Sequence, residues 1–203
     1  MNIIGFLISF GLLIIAITAH EFAHGWVAYK LGDNTAKFSG RLTLNPFAHI
    51  DPIGTIILPF FLYITTGFIF GWAKPVPINY WALRNPKKDI IWVGASGPVA
   101  NFIFALALTL LVRLLPLSAN LSNLIVQLIT INVLLGVFNL IPIPPLDGSR
   151  ILSGLLPREL SLRYSQIEPY GFIILILLMW LGVINHIIFP LVNLILRLLG
   201  LSL

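Results

Sequence analysis

The chain has no cysteine among its 203 residues. That excludes disulfides and thiolate metal sites, so any bound metal must take nitrogen and oxygen ligands. Charge is scarce as well: 9% of residues are charged and 58% hydrophobic, with a mean hydropathy of +0.99. A soluble domain carries about 25% charged residues, so this composition indicates a polytopic membrane protein. The apolar runs leave no room for an appended soluble domain of ordinary size. The N-terminus lacks the charged leader and small-residue cleavage site of a signal peptide, and the run from Ile3 reads as a retained first helix. The net charge of +5 comes from basic residues scattered in loops. With no basic stripe interleaved with aromatics, nucleic acid is not an expected partner, and the charge is instead a signal of topology.

What is present is a series of apolar segments with polar punctuation. The first runs from Ile3 to Lys30 and is stopped by Gly32-Asp33-Asn34. Residues 37–44 alternate and predict a short ribbon. The second segment, Ile53–Trp72, is interrupted by Pro59 and Gly67. The third covers Ile90 to Val112 and the fourth Leu121 to Ile141, which Pro142, Pro144 and Pro145 break. Ser149–Leu156 could resume as a short helix, and apolar runs at Tyr170–Val183 and Ile187–Leu199 follow. The expectation is an all-α polytopic membrane protein, one domain over residues 1–203. It has about five to six membrane segments including a re-entrant element, with a short β-ribbon after the first helix.

Loop charge orients these segments. If the second segment enters and leaves on one side, that side holds Lys30, Lys37, Arg41, Lys74, Arg84, Lys87, Lys88, Arg150, Arg158 and Arg163, ten of the twelve basic residues. The positive-inside bias prefers this arrangement. It also brings the end of the first helix and the break after the fourth to one face, toward the cytosol.

At that face lies His20-Glu21-Phe22-Ala23-His24. Histidines at i and i+4 share one side of a helix, so both imidazoles can hold one Zn²⁺. The glutamate between them is placed to act on a water at the metal's open position rather than to ligate. An ionisable cluster inside a membrane segment is expensive and reads as functional. Ile3 to His20 is roughly 25 Å at about 1.5 Å per residue, which puts the pair below the inner surface of a core about 30 Å thick.

A catalytic zinc site usually needs a third protein ligand. Asp147 is the better candidate, sitting where three prolines free the backbone and Gly148 permits an unusual turn; the alternative is a cap for the helix at 149–156. His49 and Asp51 read either as functional or as a turn histidine and an aspartate before proline, and His186 falls on the far face. Asn139 could hydrogen-bond a substrate carbonyl or oxyanion, or simply a neighbouring helix. Asn132 reads more strongly as such a helix contact. The run Gly94-Ala95-Ser96-Gly97-Pro98-Val99-Ala100-Asn101 reads as close packing, with Asn101 an interhelical polar contact.

Together these motifs resemble the site-2 proteases, the intramembrane zinc metalloproteases of peptidase family M50. The resemblance rests on His20-Glu21-Phe22-Ala23-His24, on Gly40-Arg41-Leu42-Thr43-Leu44-Asn45-Pro46 with His49-Ile50-Asp51-Pro52, and on Gly71-Trp72-Ala73-Lys74-Pro75-Val76-Pro77-Ile78-Asn79. It also rests on Gly94-Ala95-Ser96-Gly97-Pro98, and on Asn139-Leu140-Ile141-Pro142 through Leu146-Asp147-Gly148. It implies that His20, His24 and Asp147 hold one Zn²⁺, that Glu21 is the catalytic acid and base, and that Asn139 binds substrate. It implies cleavage in or near transmembrane segments of other proteins, in regulated intramembrane proteolysis, by an integral protein of a prokaryotic cell membrane. The bilayer and a transmembrane protein substrate are the expected partners. No PDZ or CBS domain accompanies the motifs, so a minimal member is expected. The alternative class is a non-hydrolytic membrane metal-binding protein or metal transporter, which needs the histidines and Asp147 but not Glu21.

Overall fold

The computed structural model describes residues 3–66 and 73–201. Nine α-helices are described: α1 (Ile3–Lys30), α2 (Thr35–Phe38), α3 (Leu58–Thr66), α4 (Pro86–Leu114), α5 (Ala119–Asn139), α6 (Asp147–Leu155), α7 (Arg158–Ser165), α8 (Gly171–Trp180) and α9 (Phe189–Leu198). Three of them, α1, α4 and α5, are long and apolar enough to cross a membrane. Arg158–Trp180 and Asn185–Leu198 form a further pair bent by 69°, a broken span or a re-entrant loop.

Lipid does not drive helices together as water does, so the contact faces depend on small and polar side chains. On α1 the buried residues Ala16, His20, His24 and Ala28 recur every four positions. On α4 the matching stripe is Val93, Gly97, Asn101, Ala105 and Thr109, and on α5 it is Leu128, Asn132 and Gly136. A stride of four is one ridge of a helix surface. Helix α4 lies at the centre, packed against α1, α5 and α6. The outward faces carry exposed Ile4, Ile103, Ile173 and Leu198, as expected where lipid takes the place of water.

One expectation needs correction. Residues 37–44 do not form a ribbon, and no strand occurs among the described residues. The alternation is overridden locally: Phe38 N–H bonds Asn34 O at 3.0 Å, Ser39 N–H bonds Thr35 O at 3.0 Å, and Arg41 and Leu42 both return to Ala36 O. Gly40 then turns at φ 68°. With no second strand to pair with, the backbone closes its hydrogen bonds within one turn.

Against the five to six membrane segments expected, the described residues hold three candidate spans, or four with the bent pair. The second apolar run becomes a π-helical turn at Pro52–Ile57 followed by α3. Gly67 and the Gly71-Trp72 part of the middle motif lie outside the described residues.

The start of the loop after α1 is held by buried Asp33. Its carboxylate accepts Thr35 N–H at 2.9 Å, the Thr35 hydroxyl at 2.5 Å and, 46 residues on, Asn79 N–H at 2.7 Å. Arg41 donates to Lys74 O at 2.6 Å and Pro75 O at 3.2 Å. The extended segment 73–79 is thereby strapped at both ends across the site end of α1.

Candidate active site

The stride of four on α1 puts His20 and His24 on the face that meets α4, both buried. Their Nε2 atoms are 3.0 Å apart. Asp147, the first residue of α6, turns its carboxylate onto them: Oδ2 lies 3.0 Å from His20 Nε2 and Oδ1 3.2 Å from His24 Nε2. One ligand atom from each of the three residues fits within 4.8 Å of the others. Helix α6 carries no side-chain cap. Its start is folded tightly back on the end of α5, where a Cβ on Gly148 would meet Ile141 O at 2.5 Å.

Two glycines of α4 seat the cluster. A Cβ on Gly97 would sit 2.6 Å from His20 Nε2 and closer still to His24 Nε2. A Cβ on Gly94 would lie 3.1 Å from Asp147 O. The far side of each ring is engaged too. His24 Nδ1 is 2.7 Å from Val93 O, and His20 Nδ1 is 2.6 Å from Asn101 Oδ1. A carbonyl only accepts, so each Nδ1 carries the proton and each Nε2 presents a lone pair.

Three acceptors therefore converge on one point. Asp147 Oδ2 is buried and has no hydrogen-bond donor, because the nearby Nε2 faces it with a lone pair. Two nitrogens and a carboxylate with no proton among them are a donor set for a cation, and zinc accepts this N,N,O set.

Glu21, one residue beyond His20, accepts Val76 N–H at Oε2, 2.7 Å. Pro75 and Pro77 have no N–H, so Val76 supplies the sole amide of this three-residue stretch, and it goes to Glu21. A cavity of about 540 Å³ opens beside His20 and Glu21, lined also by Asn139, Phe138, Leu135 and Met179. Asn139 Nδ2 donates to Leu135 O at 3.0 Å. A second apolar cavity, about 570 Å³, shares Leu135, Phe138 and Met179 with it and extends toward Phe6 at the other end of α1. Tyr80 stands near the cluster. Burial pushes its phenol above the ordinary value, Arg150 opposes, and Asp147, Glu168 and Glu21 add to the rise.

The remaining candidates lie elsewhere. His49 Nε2 meets Thr43 O at 2.9 Å. Asp51 caps the turn at Pro52–Ile57 through Ile53 N–H and Gly54 N–H. His186 is exposed and bonds Gly182 O at 2.8 Å. The sequence reading gave no role to Val76, whose one signal was the Pro-Val-Pro spelling. It read Gly97 only as packing.

A zinc-type cluster set between membrane helices, with a glutamate and an open cavity beside it, defines a membrane metallohydrolase. Comparison with known proteins carries this further. The model of peptidase family M50 matches residues 115–181. YwhC of Bacillus subtilis, named as a zinc metalloprotease, is 40% identical over 190 residues, covering 89% of this chain and 84% of YwhC. Rip2 of Mycolicibacterium smegmatis, named likewise, is 30% identical over 181 residues, covering 88% of this chain and 69% of Rip2. The regulator of sigma-E protease RseP of Escherichia coli is 32% identical over 115 residues, 52% of this chain and 24% of RseP. No solved structure matches the chain. The chain belongs to peptidase family M50, the site-2 proteases. It is an integral membrane protein and an intramembrane zinc metalloprotease, which sets aside the non-hydrolytic metal carrier.

Proposed function

We propose that His20, His24 and Asp147 hold the zinc, that Glu21 is the catalytic acid and base, and that Asn139 holds the substrate backbone. The observation that carries this reading is the convergence of three buried acceptors, two Nε2 atoms 3.0 Å apart and one carboxylate, with no donor among them. When bound, zinc supplies a Lewis acid and an open position at which water loses its proton near neutral pH. Glu21 takes the proton from the attacking water and delivers it to the leaving amine. The Val76 N–H holds the carboxylate in place for both transfers. Asn139 lines the same cavity and offers an amide to a backbone drawn out of its own helical hydrogen bonds. The substrate is a transmembrane segment of another protein; the apolar lining that joins the two cavities at Leu135, Phe138 and Met179 supports this.

The site faces the cytosol of a prokaryotic cell, and residues 1–203 act as one domain. Helices α1 and α5 end, and α4 begins, at the site, the end to which ten of the twelve basic residues belong: Lys30, Lys37, Arg41, Lys74, Arg84, Lys87, Lys88, Arg150, Arg158 and Arg163. That distribution supports the orientation. Cysteines placed at exposed Lys37, Arg84 and Arg158 are expected to react with an impermeant reagent only from the cytosolic side. Labelling of position 84 from outside would reverse the assignment.

The chemistry is tested by Glu21→Gln, which keeps size and removes the base. Zinc content and melting temperature should stay near wild type, and cleavage of a transmembrane substrate should fall by at least about two orders of magnitude. Asp147→Ala should lose zinc. Full cleavage by the Glu21 variant, or full zinc retention by the Asp147 variant, removes that residue from its role.

A further inference from the structure

We infer that Asn101 and Asn132 are positioning residues that fix the tautomer of His20 and thereby set the metal affinity. This rests on His20 being a zinc ligand. Leu128 O, a backbone carbonyl of α5, can only accept, and Asn132 Nδ2 donates to it at 2.9 Å. The amide of Asn132 is therefore oriented, and its Oδ1 points at Asn101 Nδ2, 2.8 Å away. Asn101 Nδ2 also lies 3.3 Å from Ala16 O, a second obligate acceptor. The amide of Asn101 is oriented in turn, leaving Oδ1 for His20 Nδ1 at 2.6 Å. Only an N–H satisfies that oxygen, so the lone pair of His20 is driven onto Nε2, where the cluster needs it.

The relay runs from α5 through α4 to α1, and both asparagines are fully buried. The two histidines thus reach one electronic state by different routes. His24 uses the backbone carbonyl of Val93, which no side-chain substitution removes, with the Ser96 hydroxyl 3.2 Å from the same Nδ1. His20 uses two side-chain amides in series, so its state depends on residues that do not touch the metal. A purely adhesive role for Asn101 and Asn132 between helices would require neither amide to have a particular orientation.

The test uses the full chain in mild detergent, stripped of metal. Zinc affinity is read by competition with a chelator, ligand geometry by the visible spectrum of bound Co²⁺, and folding by melting temperature. Asn101→Leu is expected to weaken zinc by about 10- to 100-fold and to shift the Co²⁺ bands, the scale of a lost outer partner of a ligand. Asn132→Leu should act in the same direction, because the Asn101 amide then loses one of its two orienting acceptors. Asn132→Asp should restore wild-type affinity, since a buried neutral carboxyl offers the same acceptor and an O–H for Leu128 O.

If both leucine variants bind zinc within about threefold of wild type with unchanged Co²⁺ bands, far short of what a lost outer partner costs, the asparagines are helix contacts and the inference is overturned. Should Asn101→Leu fail to fold, the Asn132 pair decides: a gap between Leu and Asp supports the relay, and equal affinities overturn it. His24→Ala is the control for the ligand reading. If it binds zinc as tightly as wild type, the cluster is not the zinc site and this inference falls with it. If it loses zinc while the asparagine variants do not, only the relay is wrong.

Discussion

The two sides of the metal cluster are built in opposite ways. On the α4 side there is no space: Gly97 lies against both imidazoles, Gly94 against the backbone of Asp147, and buried Asn101 and Val93 hold the rings. On the α8 side a cavity of about 540 Å³ reaches His20 and Glu21 between flexible apolar walls, Leu135, Phe138 and Met179. The closed side fixes the ligands and has no tolerance for an added carbon. The open side admits a chain and has no charge among its lining apart from Glu21 and the histidine. Ligand geometry and substrate access are thus separable by mutation, although both are centred on His20.

The sharpest attempt to break this contrast is Gly97→Ala. A Cβ within 2.6 Å of His20 Nε2 forces α4 or both rings to move. Zinc affinity should fall at least about tenfold and cleavage about 100-fold or more, given how steeply rate depends on placement. Wild-type zinc affinity in this variant would mean that the closed side gives way as readily as the open one. Val76→Pro sits at the boundary between the two sides. It removes the one amide that holds Glu21 while keeping the segment extended, so the turnover number should drop about tenfold, the scale of a lost hydrogen bond to a charged group, with zinc content unchanged. A loss of zinc instead would show that the strap supports the ligands rather than the base. The smallest effect is expected on the open side. Phe138→Ala opens the cavity wall and should raise KM about fivefold, the low end of the roughly 1–3 kcal/mol that a change in a hydrophobic pocket costs. Zinc affinity and the limiting rate should hold, and a fall in zinc affinity there would erase the distinction.

Much of this arrangement is written in short-range spelling. The bounds of α1 follow from a mostly apolar run that ends just before a glycine, here Gly32 at φ 114°. The break after α5 follows from its prolines, and Glu21 and the histidine pair follow from the stride of a helix. What was not legible is what depends on a partner in space. The alternation at 37–44 matched a strand locally, yet strand formation needs a neighbour, and its backbone closed into α2 and a turn instead. Asn101 and Asn132 lie 31 positions apart, and nothing in either stretch says that one amide sets the other. Gly97 and Asn101 are one turn apart on a single ridge with Val93 and Ala105, so the face could be found from the sequence. Which ring each residue meets could not.

On α1 the packing stripe is Ala16, His20, His24 and Ala28, so the two histidines proposed as metal ligands also belong to the seam along which α1 joins α4. Assembly of the membrane domain and loading with zinc are therefore one equilibrium. Filled, the seam gains the binding free energy as free energy of helix association. Each tenfold rise of free zinc above its dissociation constant then adds about 1.4 kcal/mol to the cohesion of the fold. The abundance of the protein in a cell would follow the metal supply, independently of any demand for proteolysis.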